Sequence, residues 1–115
     1  LKLVKRREVD HEGQYRATRY LFQCPGCDDL HLFYTDRVPD YPGPVWKVSG
    51  EGDCLTVTPS LIIRSSWPEG MRVCHLYVKE GKIQFLADCT HHLKGQTVEI
   101  PNAPEWLVRD VGGPA

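Results

Sequence analysis

Bulky and polar side chains alternate over residues 15–23, the period of a half-buried strand, and the run leads straight into Cys24-Pro25-Gly26-Cys27. Residues 30–35 resume the extended pattern, with Leu30, Leu32 and Tyr34 on one face. Together these runs predict a hairpin tipped by a metal-binding knuckle, in which proline sets one backbone torsion, glycine relaxes another and two sulfurs turn toward one point. Shorter apolar runs predict strands at 45–48, 55–58 and 61–65. Pro59 cannot donate to a ladder, so it argues for a bulge, corner or edge between the last two and against one continuous central strand. Residues 37–44 hold three prolines and read as an ordered surface loop.

The clearest alternation covers residues 72–89, two runs parted by Glu80-Gly81. A two-residue turn there pairs Val78 with Ile83, Leu76 with Phe85, Cys74 with Ala87 and Arg72 with Cys89 on one apolar face. The opposite face then sets Tyr77 across from Gln84, His75 from Leu86 and Val73 from Asp88. A slip of one residue would send the two cysteines to different sides of the sheet. Farther on, residues 90–95 read as a turn, 97–100 as a last strand, 104–109 as one helical turn around Trp106, and 112–115 as a frayed end. The expected fold is mostly β: a small antiparallel sheet of hairpins with a zinc knuckle, zinc-ribbon-like, with little helix.

Composition sharpens this reading. Nine prolines and ten glycines leave little room for long helices, and 115 residues suit one domain over 1–115, with 1–13 and 110–115 as frayed ends. So small and loop-rich a domain gains from a staple such as a metal. A net charge of −1, from 14 basic and 15 acidic side chains, gives no field to draw a phosphate backbone, so nucleic acid is not an expected partner. Lys2, Lys5, Arg6 and Arg7 read as a solvated terminal cluster. No run approaches the roughly 20 apolar residues of a membrane span, and the amino end lacks the apolar core of a signal peptide, so a soluble cytoplasmic protein with no membrane partner is expected. Five cysteines, an odd number, with one Cys-x-x-Cys pair then point to thiolate metal ligation before disulfides.

Zinc takes four nitrogen or sulfur donors in a tetrahedron, often as two close pairs from separate hairpins. Cys24 and Cys27 make one pair, and the hairpin register puts Cys74 and Cys89 on one face as the other. Cys24, Cys27 and Cys89 are the firmest of the four. Imidazole is an equally good donor, so His75 or His91 stands as an alternative fourth ligand. A redox dithiol would sit at a helix start after a strand, a pattern this chain lacks. Cys54 reads as a buried small apolar residue; His11 and His31 read as ordinary side chains, with His31 able to swap into the first pair.

The polar face of the same hairpin makes His75 and Asp88 diagonal neighbours, and a carboxylate beside an imidazole holds a general base in one tautomer. Ser60, just past the Pro59 bend, is the candidate nucleophile, with Ser65, Ser66 and Thr90 behind it. A four-thiolate zinc has no open position for water and the chain has no His-Glu-x-x-His helix, so the metal is expected to be structural.

Cys24-Pro-Gly-Cys27, Thr58-Pro59-Ser60-Leu61, Cys74-His75, the run from Ile83 to His91 and Gly95-Gln96-Thr97-Val98 resemble a small bacterial and phage-borne family of uncharacterised proteins often labelled "ammonia monooxygenase". The resemblance spans about residues 20 to 101. The label does not suit a chain without a transmembrane span or a copper-binding histidine set. Some members are encoded beside bacterial ubiquitin-like conjugation components, which implies a peptidase that processes or deconjugates such a modifier. The family's motif positions fall on Ser60, Cys74, His75, Asp88, Cys89 and His91, whereas Cys54 and His92 are departures. The leading expectation is a zinc-stabilised serine-type peptidase using Ser60, His75 and Asp88 on a ubiquitin-like protein. The alternative is a non-catalytic zinc-knuckle module that binds a protein, with Trp46, Trp67 and Trp106 as possible anchors.

Overall fold

The alternating runs become eight strands and one short helix in a computed structural model that describes residues 1–37, 39 and 43–110. Strands β1 (Val4–Val9), β2 (Tyr15–Cys24) and β3 (Asp29–Tyr34) form an antiparallel sheet in the order β1-β2-β3. Strands β4 (Lys47–Ser49), β5 (Thr56–Trp67), β6 (Gly70–Lys79), β7 (Lys82–Phe85) and β8 (Thr97–Glu99) form a second antiparallel sheet in sequence order. The expected mostly β, antiparallel fold is present, divided between two sheets. Among the described residues no helix is long and apolar enough to cross a membrane.

The two sheets share one core. Phe22, Cys24 and Phe33 from the first pack with Val57, Leu61, Cys74, Leu76, Val78, Ile83 and Phe85 from the second. The register Tyr20↔Phe33 and Phe22↔His31 places Phe33 and His31, rather than Leu30, Leu32 and Tyr34, on this face. The reverse face of the first sheet is covered by helix α1 (Glu105–Asp110), where Leu107 packs on Val4 and Leu21, with Leu30 alongside. The helical turn expected around Trp106 exists, but Leu107 is its buried anchor and Trp106 lies exposed.

Three further expectations are corrected. Residues 4–9 are not frayed: they form β1, paired with β2 from Val4↔Leu21 onward, and Leu1 accepts a main-chain bond from Ala103 (2.7 Å). Residues 55–58 and 61–65 are parts of one strand, β5, with a register shift between Val57 and Leu61 that lifts Pro59 out of the ladder at the expected bulge. Cys54 is exposed, not buried. The proline-rich loop at 37–44 and the carboxyl end at 110–115 fall largely outside the described residues.

The β6–β7 hairpin has the expected register as far as it goes, with Val78↔Ile83, Tyr77↔Gln84 and Leu76↔Phe85. Glu80 and Gly81 both have positive φ (50° and 77°), as a two-residue primed turn demands, and a Cβ on Gly81 would lie 2.0 Å from the Asp53 carbonyl oxygen. β7 ends at Phe85, before the residues that decide the site.

Candidate active site and metal centre

Past Phe85 the chain leaves the ladder without leaving β6. Leu86 donates its N–H to the His75 carbonyl (2.9 Å), and the Cys89 N–H turns back to the Leu86 carbonyl (3.2 Å). Side chains then take the place of ladder bonds. The Cys89 sulfur accepts the His75 N–H (3.3 Å) and donates to the His75 carbonyl (3.2 Å). Thr90 likewise caps Val73, its N–H bonding the Val73 carbonyl (2.9 Å) and its hydroxyl oxygen accepting the Val73 N–H (2.9 Å). Residues 86–91 thus form a strap along β6 that carries Asp88 to one face of the strand and His91 to the other.

On the outer face the strap meets β6 and the β5 bulge. Ser60 Oγ lies 3.2 Å from His75 Nε2, and His75 Nδ1 lies 3.0 and 3.2 Å from the two Asp88 carboxylate oxygens. With Nδ1–H donating to Asp88, Nε2 keeps its lone pair toward the serine hydroxyl, the arrangement a general base requires. The Ser60 carbonyl accepts the Trp46 indole N–H (3.2 Å), and Trp46 packs edge-on against Phe33 of the first sheet (6.3 Å). The bulge that bears Ser60 is therefore tied to the shared core. This bond was missed at the sequence level, where Trp46 stood only as a possible contact anchor; no local pattern signals it. The side chains of His75 and Asp88 are 24% and 53% exposed, which leaves the trio open to a macromolecule.

On the inner face Cys24, Cys27, Cys74 and His91 converge, their donor atoms all within 4.8 Å of one another. Cys24 ends β2 and Cys74 lies mid-strand in β6, both buried; Cys27 stands at the exposed rim. The sulfurs of Cys24 and Cys74 are 3.9 Å apart, and Cys74 Sγ is 3.5 Å from His91 Nε2. A tetrahedral zinc, with Zn–S of about 2.3 Å and Zn–N of about 2.0–2.1 Å, has edges of about 3.8 and 3.6 Å, close to these two separations, so the four donors could hold such an ion. One contact must yield on ligation, since Nδ1 accepts the Leu93 N–H (3.2 Å) and a metal on Nε2 requires the proton on Nδ1. Gly26 is needed for proximity: a Cβ there would lie 2.3 Å from the His91 ring.

The electrostatics describe a site short of positive charge. Hydrogen bonding from Cys74 holds the Cys24 thiol down to about 4, while burial and the Cys24 charge push Cys27 up to about 11. Cys74 is pushed strongly upward by its hydrogen bond to Cys24 and by burial. One thiolate thus suppresses the others, and a bound divalent cation would remove that competition. Burial holds His91 below its ordinary value and so favours the neutral form that ligates metal.

Cys89, counted among the firmest ligands, is outside this cluster; its buried sulfur is spent on the His75 main chain. His91 occupies the fourth corner, and His75, the other alternative, faces Ser60 and Asp88. His31 is buried against Phe22 next to Cys24, with Nε2 lacking a hydrogen-bond partner, and is not one of the four. Ser65 and Thr90, behind Ser60 as nucleophiles, are engaged elsewhere, with the Trp67 indole and with Val73; Ser66 makes no side-chain hydrogen bond to His75.

The family model described as "Bacterial ubiquitination-like system serine protease (BubE)" matches residues 2–86 of this chain, well over half its length, and the chain belongs to that family. The matched segment contains Ser60 and His75 and ends just before Asp88. No curated protein and no solved structure matches.

Proposed function

We propose that this member of the bacterial ubiquitination-like system serine protease family cleaves a ubiquitin-like protein, or a bond that joins one to a target, with Ser60 as nucleophile, His75 as general base and acid, and Asp88 as the group that orients His75. The observation that carries the reading is the unbroken chain of contacts, 3.2 Å from Ser60 Oγ to His75 Nε2 and 3.0 Å from His75 Nδ1 to Asp88. Attack by Ser60 on a carbonyl would pass its proton to Nε2, and the imidazolium would return it to the leaving group, charge-balanced throughout by Asp88. The open setting of the three residues suits a protein tail better than an enclosed small molecule. Cys24, Cys27, Cys74 and His91 would hold zinc in a structural role, fastening the β2–β3 hairpin tip to β6 and to the strap that presents Asp88.

The test compares two perturbations in one assay on a ubiquitin-like protein with a carboxyl-terminal extension. A fluorophosphonate should label the wild type and not Ser60→Ala, and Ser60→Ala should not cleave. A chelator should inhibit slowly, in step with unfolding. Full activity in Ser60→Ala with prompt loss on chelation would replace this mechanism by metal hydrolysis. Tight binding of the ubiquitin-like protein without cleavage or labelling in the wild type would identify a binding module.

A further inference from the structure

β5 runs from Thr56 to Trp67, yet its neighbour β4 covers only Thr56, Val57 and Thr58. Among the described residues no other strand lies along residues 60–67 on that side. β6 bonds β5 on the opposite side, and its own far edge is taken by β7 and the 86–91 strap. The hairpin closes at Trp67↔Gly70 around two turn residues, so Trp67, Ser65, Ile63 and Leu61 exchange main-chain bonds with β6. Ser60, Ile62, Arg64 and Ser66 therefore direct their N–H and C=O groups away from β6. The Ser60 carbonyl does so visibly, reaching the Trp46 indole. Three residues of unpaired strand edge thus continue directly from the nucleophile, and they are exposed, Ile62 at 42%.

An open edge is a template for pairing with another chain, and proteins usually shorten, charge or cover such edges. Here the edge is long and begins at the catalytic serine. We infer that the segment of the protein substrate preceding the scissile bond docks as an added strand on the Ile62, Arg64 and Ser66 edge of β5, antiparallel to it. The direction follows from position: β5 leads away from Ser60, so a chain that lies along it and delivers its carbonyl to Ser60 must run the other way. Main-chain bonds would supply affinity with little demand on side-chain identity, and the added strand would span about 20 Å, or six to seven residues. This rests on the serine reading above and specifies what the site recognises: an extended, unstructured tail.

The probes are the p-nitrophenyl ester of acetyl-(Ala-Thr)₃-Ala and p-nitrophenyl acetate, hydrolysed by the full chain. The peptide ester should have the higher kcat/KM by roughly tenfold or more, and N-methylation of alternate peptide amides should lower it roughly three- to tenfold each, with the intervening amides much less sensitive. Arg64→Pro removes an outward N–H at a position where an edge strand accepts proline, and should lower the peptide-to-acetate ratio by a similar factor. Acetate turnover with no peptide advantage, or an N-methyl scan without the alternation, overturns the added strand and leaves the serine reading standing. Absence of Ser60-dependent turnover of both esters overturns the two together.

Discussion

Replacing Cys89 by alanine separates its two possible roles. The Cys89 sulfur is buried and contacts both the N–H (3.3 Å) and the carbonyl (3.2 Å) of His75. Alanine leaves the His75 N–H without its partner, while Leu86 still donates to the carbonyl at 2.9 Å. An orphaned buried donor costs about 1–3 kcal/mol; sulfur bonds are weak and only one group is stranded, so about 1–2 kcal/mol is expected. For a chain of this length that lowers the melting temperature by roughly 3–10 °C. Because Asp88 is the preceding residue, a loosened strap also degrades its 3.0 Å contact with His75, and a misplacement on the order of 1 Å costs up to about a hundredfold in kcat. Under the proposed ligand set of Cys24, Cys27, Cys74 and His91, metal content should be unaffected. Metal content by elemental analysis, thermal unfolding and ester turnover on the same preparation decide the matter. Loss of the metal in Cys89→Ala would restore Cys89 as a ligand, and unchanged stability with unchanged turnover would reduce the sulfur to inert filling.

Asp88→Asn should lower kcat by about four orders of magnitude with little change in KM, because it removes the group that sets the imidazole tautomer; a change confined to KM would place Asp88 in substrate binding. Gly26→Ala should reduce metal content and melting temperature together, since its Cβ would meet the His91 ring at 2.3 Å; retention of a full equivalent of metal would remove His91 from the ligand set. Trp46→Phe keeps a ring against Phe33 but loses the N–H that holds the Ser60 carbonyl, so, on the proposed mechanism, kcat on p-nitrophenyl acetate should fall about tenfold at constant KM, by the cost of one hydrogen bond to the Ser60 peptide unit. An equal loss in both constants would show a broader collapse of the bulge.

Where apolar and polar residues alternate within a ladder, the sequence was a sufficient guide. The side-chain period of two sorts residues into faces without reference to anything distant, which is why the β2–β3 and β6–β7 hairpins and the irregularity at Pro59 were legible. The same rule misassigned Cys89. Carried past Phe85 it gives Cys89 the face of Cys74, but the ladder stops there, a turn back to Leu86 intervenes, and the parity no longer holds. His91 reaches the cysteines from that turn, admitted by the missing side chain at Gly26. Residues 1–13 suffered from a different blindness: a polar strand such as β1 is recognisable only by its partner, β2.

Local pattern by itself therefore determined that the chain is mostly β, that it gathers thiolates near Cys24-Pro-Gly-Cys27, and that Ser60, His75 and Asp88 are its candidates for chemistry. Tertiary structure decided which donor completes the cluster, how the two sheets share one core, that Trp46, packed on Phe33 of the other sheet, anchors Ser60, and where, among the described residues, an edge of β5 was left open. The division has a physical basis. Strand periodicity is imposed by each residue on its immediate neighbours, whereas the end of a ladder, the closeness of two loops and the exposure of an edge depend on contacts between residues far apart in the chain.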